Sequence, residues 1–418
     1  MLILHLTCCS GLLLGTSGRW RPHNAVMSAS VEQPLRVAVV GGGLAGLGFA
    51  FHLLNTSSHA VHLDVYDPAD PGCGGASAVA AGLLHPFRPN GHEIWMGIEG
   101  FAATSELVRA VEQATGEAVS AASGLLRLAM DAAQADELQE AAAAAHPVDA
   151  MELRWHTTSE ATQLGGGDGV GGLGAAFAPA ALTVDTPRYL QGLWRLCEQR
   201  ARATGGEAVW CRQGVGALSE LVGRYDAVVV AAGARTPELA ELRGRVPLRP
   251  CRGHNLYLRN EAALRTPLIC GKYLVPLGAS RETLVAGATF EYGMDEPPQP
   301  AEAEGALRPL LAAMHPPAAN LELIDVRAGV RALPPRSHHG YVPLCGKIAH
   351  GTWLLSGFGS RGLIHHALLG RATAHAVLAD DATALPEHTR RLEGKLKLEL
   401  ELPLEARGDR GRGRSSRP

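Results

Sequence analysis

Several features are scarce in this 418-residue chain, and each scarcity removes a class of protein. No apolar run approaches the ~18–20 residues that a membrane-crossing helix needs. A basic surplus is missing: 38 Lys and Arg stand against 41 Asp and Glu, for a formal net charge of −3. That balance argues against a generic binder of nucleic acid or anionic membranes. No G-X-Y period runs through the glycines, which excludes collagen. Cysteines are few and scattered: Cys8, Cys9, Cys73, Cys197, Cys211, Cys251, Cys270 and Cys345. They form no C-x-x-C pair and no zinc-ligand spacing, so reduced structural thiols are expected. The pairs His338–His339 and His365–His366 remain as metal candidates. Adjacent side chains on a helix diverge, and no Cys or carboxylate sits at ligand spacing, so no metal site is expected.

The ends are also marked by what they lack. Residues 1–31 contain no Asp or Glu but carry Arg19 and Arg21. Apolar stretches precede those arginines, which suits an organelle transit segment (1–33) better than a secretory signal. A start at Met27 is the competing reading. The last residues, Arg407 to Pro418, read RGDRGRGRSSRP and have nothing with which to pack, so 381–418 is read as a C-terminal tail.

Glycine is what the chain has in excess, at 50 of 418 residues. At that frequency chance supplies roughly 0.7 matches to G-x-G-x-x-G, so context must decide which matches matter. Gly165–Gly174 holds two overlapping matches with no strand before them and no helix after, and is read as a loop. Gly41, Gly43 and Gly46 differ. They follow LRVAVV, a β-branched run typical of a buried parallel strand, and open GLAGLGFAFHLLN, a helical pattern. A second strand, Val61–Asp67, ends in an acid at about the ~20-residue or longer spacing expected of a ribose ligand. Gly41 makes the tight turn, Gly43 admits a pyrophosphate, and Gly46 lets helix and strand pack closely. Leu44 and Ala45 supply helix N-terminal N–H groups for phosphate charge. The acid favours FAD or NAD over a 2′-phosphorylated nucleotide.

A second strand–turn–helix lies near the other end. TWLLS (352–356) leads through Gly357, Gly359, Ser360 and Gly362 into a helix from Leu363 to Leu378. Two such turns suit one long cofactor with two recognition points. A third strand, YDAVVVAA, runs into Ala232 and Gly233, where a sheet edge would meet the dinucleotide.

Taken in order, these segments resemble the D-amino-acid oxidase-like family of FAD-dependent oxidoreductases. That group includes glycine and sarcosine oxidases and the oxidase domain of the bacterial tRNA wobble-uridine modification enzyme. The resemblance runs from about Leu35 to Leu378. GASAVAAGLLHP resembles the family segment in which Ala76, Ser77, Ala81 and Gly82 lie along pyrophosphate and flavin. Val215 falls where the family offers a backbone contact to adenine. PCRGH (250–254), KYLVP (272–276) and VAGAT (285–289) resemble strands of the substrate sheet. AGVR ends in Arg331, which the resemblance makes a substrate-carboxylate ligand. GFGSRGL resembles the final flavin turn and carries Arg361, a second catalytic candidate. Tyr273 and His85 are weaker pocket candidates: a core tyrosine is an at least equal reading of the first, and an ordinary packed histidine is the favoured reading of the second.

The resemblance implies an α/β fold with an α+β second domain. A Rossmann-like FAD-binding domain (34–98, 180–246, 323–380) interleaves with a mostly antiparallel substrate domain (99–179, 247–322). It implies non-covalent FAD and oxidation of a C–N bond in a small amino acid or secondary amine, by hydride transfer to flavin N5. Oxygen or another acceptor takes the electrons. GSRGL and the Arg-rich tail keep a tRNA wobble-uridine side chain open as the alternative substrate. PRSHHGYVP (335–343) lacks the Asp common in that stretch, which leaves room for a flavin-binding protein without catalysis. GLLHPF resembles plant and cyanobacterial relatives, so a plastid is favoured, with the cytoplasm implied if Met27 is the start.

Overall fold

The computed structural model describes residues 33–144, 148–166, 169–278, 280–292, 299–392, 394 and 396. Residues 1–32 of the expected leader and the Arg/Gly tail lie outside them, as do Cys8 and Cys9. From Pro34 onward the described residues form one compact unit.

A six-stranded sheet forms where the sequence is richest in β-branched residues. Its order is Leu344–Ala349, Thr352–Ser356, Ala227–Val230, Leu35–Val40, Val61–Tyr66, Glu207–Cys211. Neighbours are parallel except the first pair, which is antiparallel. Leu35–Val40 shows why these strands read as unbroken apolar runs. Successive side chains point to opposite faces, and both faces are covered. Val37 and Val39 enter a core with the helices Leu44–Thr56, Gly97–Thr115, Thr186–Ala203 and Gly362–Ala379, while Ala38 and Val40 enter a second core with Leu218, Leu221 and Leu239.

Two of those helices, Leu44–Thr56 and Gly362–Ala379, follow the two glycine turns. They meet backbone to backbone. A Cβ on Gly370 would lie 2.6 Å from Gly48 C, and one on Gly48 would lie 2.8 Å from His366 O. Gly100 brings Gly97–Thr115 equally close to Ile364 O, and Thr104 Oγ1 donates to Leu363 O at 3.0 Å. His365 and His366 diverge as expected of helix neighbours. Nε2 of His365 meets Trp95 O at 2.9 Å, and Nε2 of His366 meets the Tyr189 hydroxyl at 2.7 Å.

The second sheet has eight strands, in the order Leu323–Leu333, Arg249–Arg259, Thr283–Gly287, Tyr273–Leu277, Leu268–Ile269, Leu125–Leu128, Ala175–Ala178, Arg154–His156. All pairs are antiparallel except Leu268–Ile269 with Leu125–Leu128. Helix Pro300–Met314 buries Leu307, Leu311 and Met314 against it. Along the chain, blocks of strands from one sheet are followed by blocks from the other.

The glycine stretch 165–174 ends a short helix, Thr158–Gly165, and leads into a strand, Ala175–Ala178, so it lacks the strand–turn–helix order of a nucleotide site. Past residue 380 the chain still packs. Leu385 and Leu396 are buried, and Arg391 donates to Pro335 O at 2.8 Å and to Val342 O. Cys73, Cys197, Cys211, Cys251, Cys270 and Cys345 are free thiols. Among the described residues no helix is long and apolar enough to cross a membrane.

Candidate active site

The two glycine turns, some 300 residues apart in sequence, come together at the edge of the six-stranded sheet formed by the C-terminal ends of its parallel strands. A Cβ on Gly362 would sit 3.3 Å from Leu44 Cδ1, so the N-termini of the two helices are neighbours. Each end carries N–H groups without a partner inside the helix and roughly half a positive charge.

Around the first turn there is no room for side chains. Gly41 has φ +106°, and its Cβ would lie 2.5 Å from Ala231 O. A Cβ on Gly46 would lie 1.9 Å from Gly41 O. Ala231 leads into Ala232 and Gly233, which bring the third strand to the same edge; Gly233 O accepts from Ser356 Oγ at 3.3 Å. Asp67, at the end of its strand, accepts from Gly42 N and from Ala69 N, both at 2.9 Å. Ser77 stands over the helix start, its Oγ accepting from Leu44 N at 3.1 Å, with Ala76 beside it in the short helical turn Ala76–Val79. Gly82, with φ +75°, lies against Val184: the Gly82 carbonyl accepts from Val184 N at 2.8 Å, and a Cβ would meet Val184 O at 1.9 Å. Ala81 precedes it. Val215 packs beside the second core, on the loop after the edge strand Glu207–Cys211.

The second turn is equally bare. Gly357 and Gly359 have φ of +77° and +56°. Ser360 is exposed and Leu363 is buried. Gly359 N donates to Ala332 O at 2.9 Å, which ties the turn to the strand carrying Arg331.

Arg361 caps the second helix. Its Nη1 is buried without a hydrogen-bond partner, and burial together with nearby Arg88 lowers its affinity for a proton. A buried guanidinium donor without an acceptor is costly unless a ligand supplies one. The cradle of glycine backbone, two convergent helix N-termini and this orphan donor fit a dinucleotide cofactor with an acceptor-rich ring.

Arg331 lies in the large sheet. Its Nη1 donates to Thr289 O at 3.3 Å, and its guanidinium sits 4.7 Å over the Phe290 ring. Gly253, from PCRGH, clears its space, since a Cβ there would lie 2.4 Å from Arg331 Nη2. Lys272 stands nearby, with Nζ donating to Ala288 O at 2.7 Å and 5.4 Å from the Phe290 centroid. Burial and Arg331 both push the Lys272 ammonium below its ordinary range. Among the described residues, neither cation pairs with a carboxylate. Tyr273 donates to Asn255 Oδ1 at 2.7 Å, and burial pushes its phenol up to about 12. Asn255 in turn donates to Val79 O at 2.6 Å, joining the large sheet to the Ala76–Val79 turn.

His85 is stacked on Phe87, and its Nδ1 accepts from Phe87 N at 3.2 Å. Burial first, then Arg127 and Arg361, lower its pKa to about 3, so the ring is neutral. Arg127 and Arg88 line a cleft of about 480 Å³ with Gln134, Glu137 and Cys270. Arg127 is 6% exposed, and burial lowers its pKa to about 10.

Sequence reasoning missed Lys272, Arg88, Arg127, Asn255 and Trp210. The Trp210 indole lies against Gly42 and donates to Ala69 O at 3.0 Å. Lys272 was within a recognised motif; the other four carried no local signal, because each is brought in by distant pairing.

A family model described as FAD dependent oxidoreductase (DAO) matches residues 36–376, most of the chain. The chain belongs to this family. As a DAO-family oxidoreductase it is an FAD-dependent enzyme, and its two glycine turns are the parts suited to that cofactor. The tRNA 5-methylaminomethyl-2-thiouridine biosynthesis bifunctional protein MnmC of Caulobacter sp. (strain K31) is 30% identical over 363 residues, covering 84% of this chain and 56% of the relative. The MnmC of Verminephrobacter eiseniae is 28% identical over 408 residues, covering 85% of this chain and 62% of its own length. The chain thus spans little more than half the length of these curated relatives. Among solved structures, glycine oxidase from Geobacillus kaustophilus has the same DAO fold, with a TM-score of 0.66 and 22% identity over 88% of this chain and 100% of that one. Iminodiacetate oxidase from Chelativorans sp. BNC1 gives 0.66 and 21%, over 87% and 99%.

Proposed function

We propose that this DAO-family enzyme oxidises the C–N bond of a small amino acid or carboxylate-bearing secondary amine. The observation that carries this reading is the pair Arg331 and Lys272, two cations against the Phe290 ring without a carboxylate partner among the described residues, Arg331 on the strand that Gly359 ties to the flavin turn. A planar guanidinium holds a carboxylate by two parallel hydrogen bonds. Bound FAD supplies the two-electron acceptor for the substrate's C–H.

The protein's part is positioning. Arg331 fixes the carboxylate end, and Lys272 adds attraction over the Phe290 ring. Tyr273, locked onto Asn255, walls the space between that clamp and the Ala76–Val79 turn. Such fixing removes several kcal/mol of the barrier by replacing random encounter. The positive helix end at Gly362 favours negative charge beside it. We assign FAD-holding roles to Gly41, Gly43, Gly46, Asp67, Ser77, Gly82, Val215, Gly233, Gly359 and Gly362, with the FAD and substrate segments interleaved along the chain.

The test is an anaerobic titration of the purified yellow protein with glycine, sarcosine, iminodiacetate and D-amino acids. Bleaching of the visible flavin band by one of these supports the reading. Full FAD occupancy with no bleaching by any of them refutes it.

A second reading has its own support. The cations extend past one carboxylate, to Arg88, Arg127 and Arg361, and the curated relatives are tRNA-modification proteins. On this reading the substrate amine hangs from a wobble uridine, and Arg88, the partly exposed arginine of the cleft, meets the polyanion. Nucleoside analysis of tRNA from cells lacking the gene separates the two: an accumulated carboxymethylamino-type uridine selects the RNA substrate.

A further inference from the structure

One cluster of chemistry-bearing side chains lies outside the machinery described above. His338 and His339 form the tip of a hairpin between Arg336–Ser337 and Gly340–Tyr341. His388 lies in the short turn Glu387–Thr389, far on in the chain. One ring nitrogen from each of the three lies within 4.8 Å of the others, and Nε2 of His339 is 3.2 Å from Nε2 of His388. We propose that His338, His339 and His388 bind a divalent transition-metal ion of the zinc class, clasping the C-terminal segment onto the hairpin beside the flavin turn.

The geometry suits this chemistry. Zinc takes imidazole nitrogens at ~2.0–2.1 Å in tetrahedral array, which places the nitrogens of two ligands ~3.3–3.4 Å apart. The His339–His388 separation already matches. His338 is exposed, and its ring nitrogen lies within 4.8 Å of the other two. Three histidines leave a fourth position for water, and imidazole donors suit zinc, copper or nickel over magnesium or calcium.

The site is held by its surroundings. Ser337 Oγ accepts from His339 N at 3.2 Å and donates to Gly340 O at 3.0 Å, which shapes the hairpin tip. Arg391, three residues past His388, donates to Pro335 O and Val342 O, which bracket the hairpin. The two ligand-bearing segments are therefore joined without the metal. The hairpin matters to the enzyme because Gly340 approaches Arg361: a Cβ there would lie 3.9 Å from Nη1. The expectation of no metal rested on sequence neighbours, and His388 is not one.

The test uses untagged full-length holoprotein, stripped with chelator and dialysed against zinc or cobalt(II). The readouts are metal per chain by elemental analysis, the cobalt visible spectrum and metal affinity. Wild type should retain one ion per chain. His388→Ala should weaken binding more than about tenfold, since even outer-shell changes typically cost 10–100-fold. His338→Ala, at an exposed position, should weaken it too, with the flavin spectrum unchanged in both. The proposal is overturned if wild type retains no ion, or if both variants bind it as tightly as wild type.

Discussion

The cofactor edge of the small sheet and the cation-bearing face of the large sheet recognise in opposite ways. The first is built almost wholly from backbone. Gly41, Gly46, Gly82 and Gly359 contribute an absence of side chain, and two helix ends contribute N–H groups. The second is built from side chains: Arg331, Lys272, Tyr273 and, farther out, Arg88 and Arg127. A backbone site tolerates no added atom but carries little formal charge. A side-chain site tolerates reshaping but fails when a charge is removed. The two regions should therefore break under different substitutions and under different conditions.

The largest effect is expected at Gly46. A Val there must displace the Gly41 backbone oxygen with its side chain, and the turn cannot close around a pyrophosphate. Gly46→Val should cost about 3 kcal/mol of stability and leave the protein essentially free of flavin. Gly214→Ala, on the loop beside Val215, meets nothing within 4 Å and should leave both unchanged. Flavin absorbance per chain and thermal unfolding measure the pair. Full flavin content in Gly46→Val would show that the cradle is not set by backbone contact.

Next in size is the charged face. Arg331→Ala should lower kcat/KM for a carboxylate substrate by about a hundredfold, or about 2.7 kcal/mol, with flavin content intact. Lys272→Met should cost about tenfold in the same assay, because a single point charge gives less than a bidentate pair. Steady-state rates with a carboxylate amine and its uncharged analogue decide this. Equal losses on both substrates would remove the clamp role and leave Arg331 as a partner for Phe290 and Thr289 alone.

The same contrast explains what the sequence made legible. Glycine turns are local: strand, Gly41–Gly46, helix and Asp67 sit in one continuous stretch, and GFGSRGL follows its own strand. Their meeting through Gly48 and Gly370 carried no motif, because close helix contact is visible only once both helices are placed. The interleaved strand order was readable only through family resemblance. On the large sheet, Arg331 was found because AGVR resembles a known segment. Lys272 reaches the same place through antiparallel pairing, across Thr283–Gly287 and Arg249–Arg259, which no local pattern encodes. His388 was invisible for the same reason, since its partners lie on a distant hairpin.

The smallest effect separates the regions by pH. On the charged face the Lys272 ammonium, lowered by burial and by Arg331, gains nothing more from acidification, so that face should change little between pH 7 and 4.5. The helices of the cofactor edge enclose His365 and His366, both fully buried. Burial is the main cause that lowers each to about 4 from an ordinary 6.5; Arg361 adds to it at His365, and His365 adds to it at His366. Above pH 6.5 both are neutral folded or unfolded, and stability is flat. Between 6.5 and about 4 the unfolded chain takes up protons that the folded chain refuses, so stability falls as pH falls. Each histidine contributes at most about 1.4 kcal/mol per pH unit in that window. Thermal unfolding of wild type and His366→Gln at pH 7.0, 6.0 and 5.0 tests this. Gln removes one titrating group, so the variant's deficit at pH 7 should shrink as pH drops. A deficit that stays constant would mean that His366 takes up its proton in the fold as readily as in the open chain, and that His366 is not an acid-sensitive part of the helix pair.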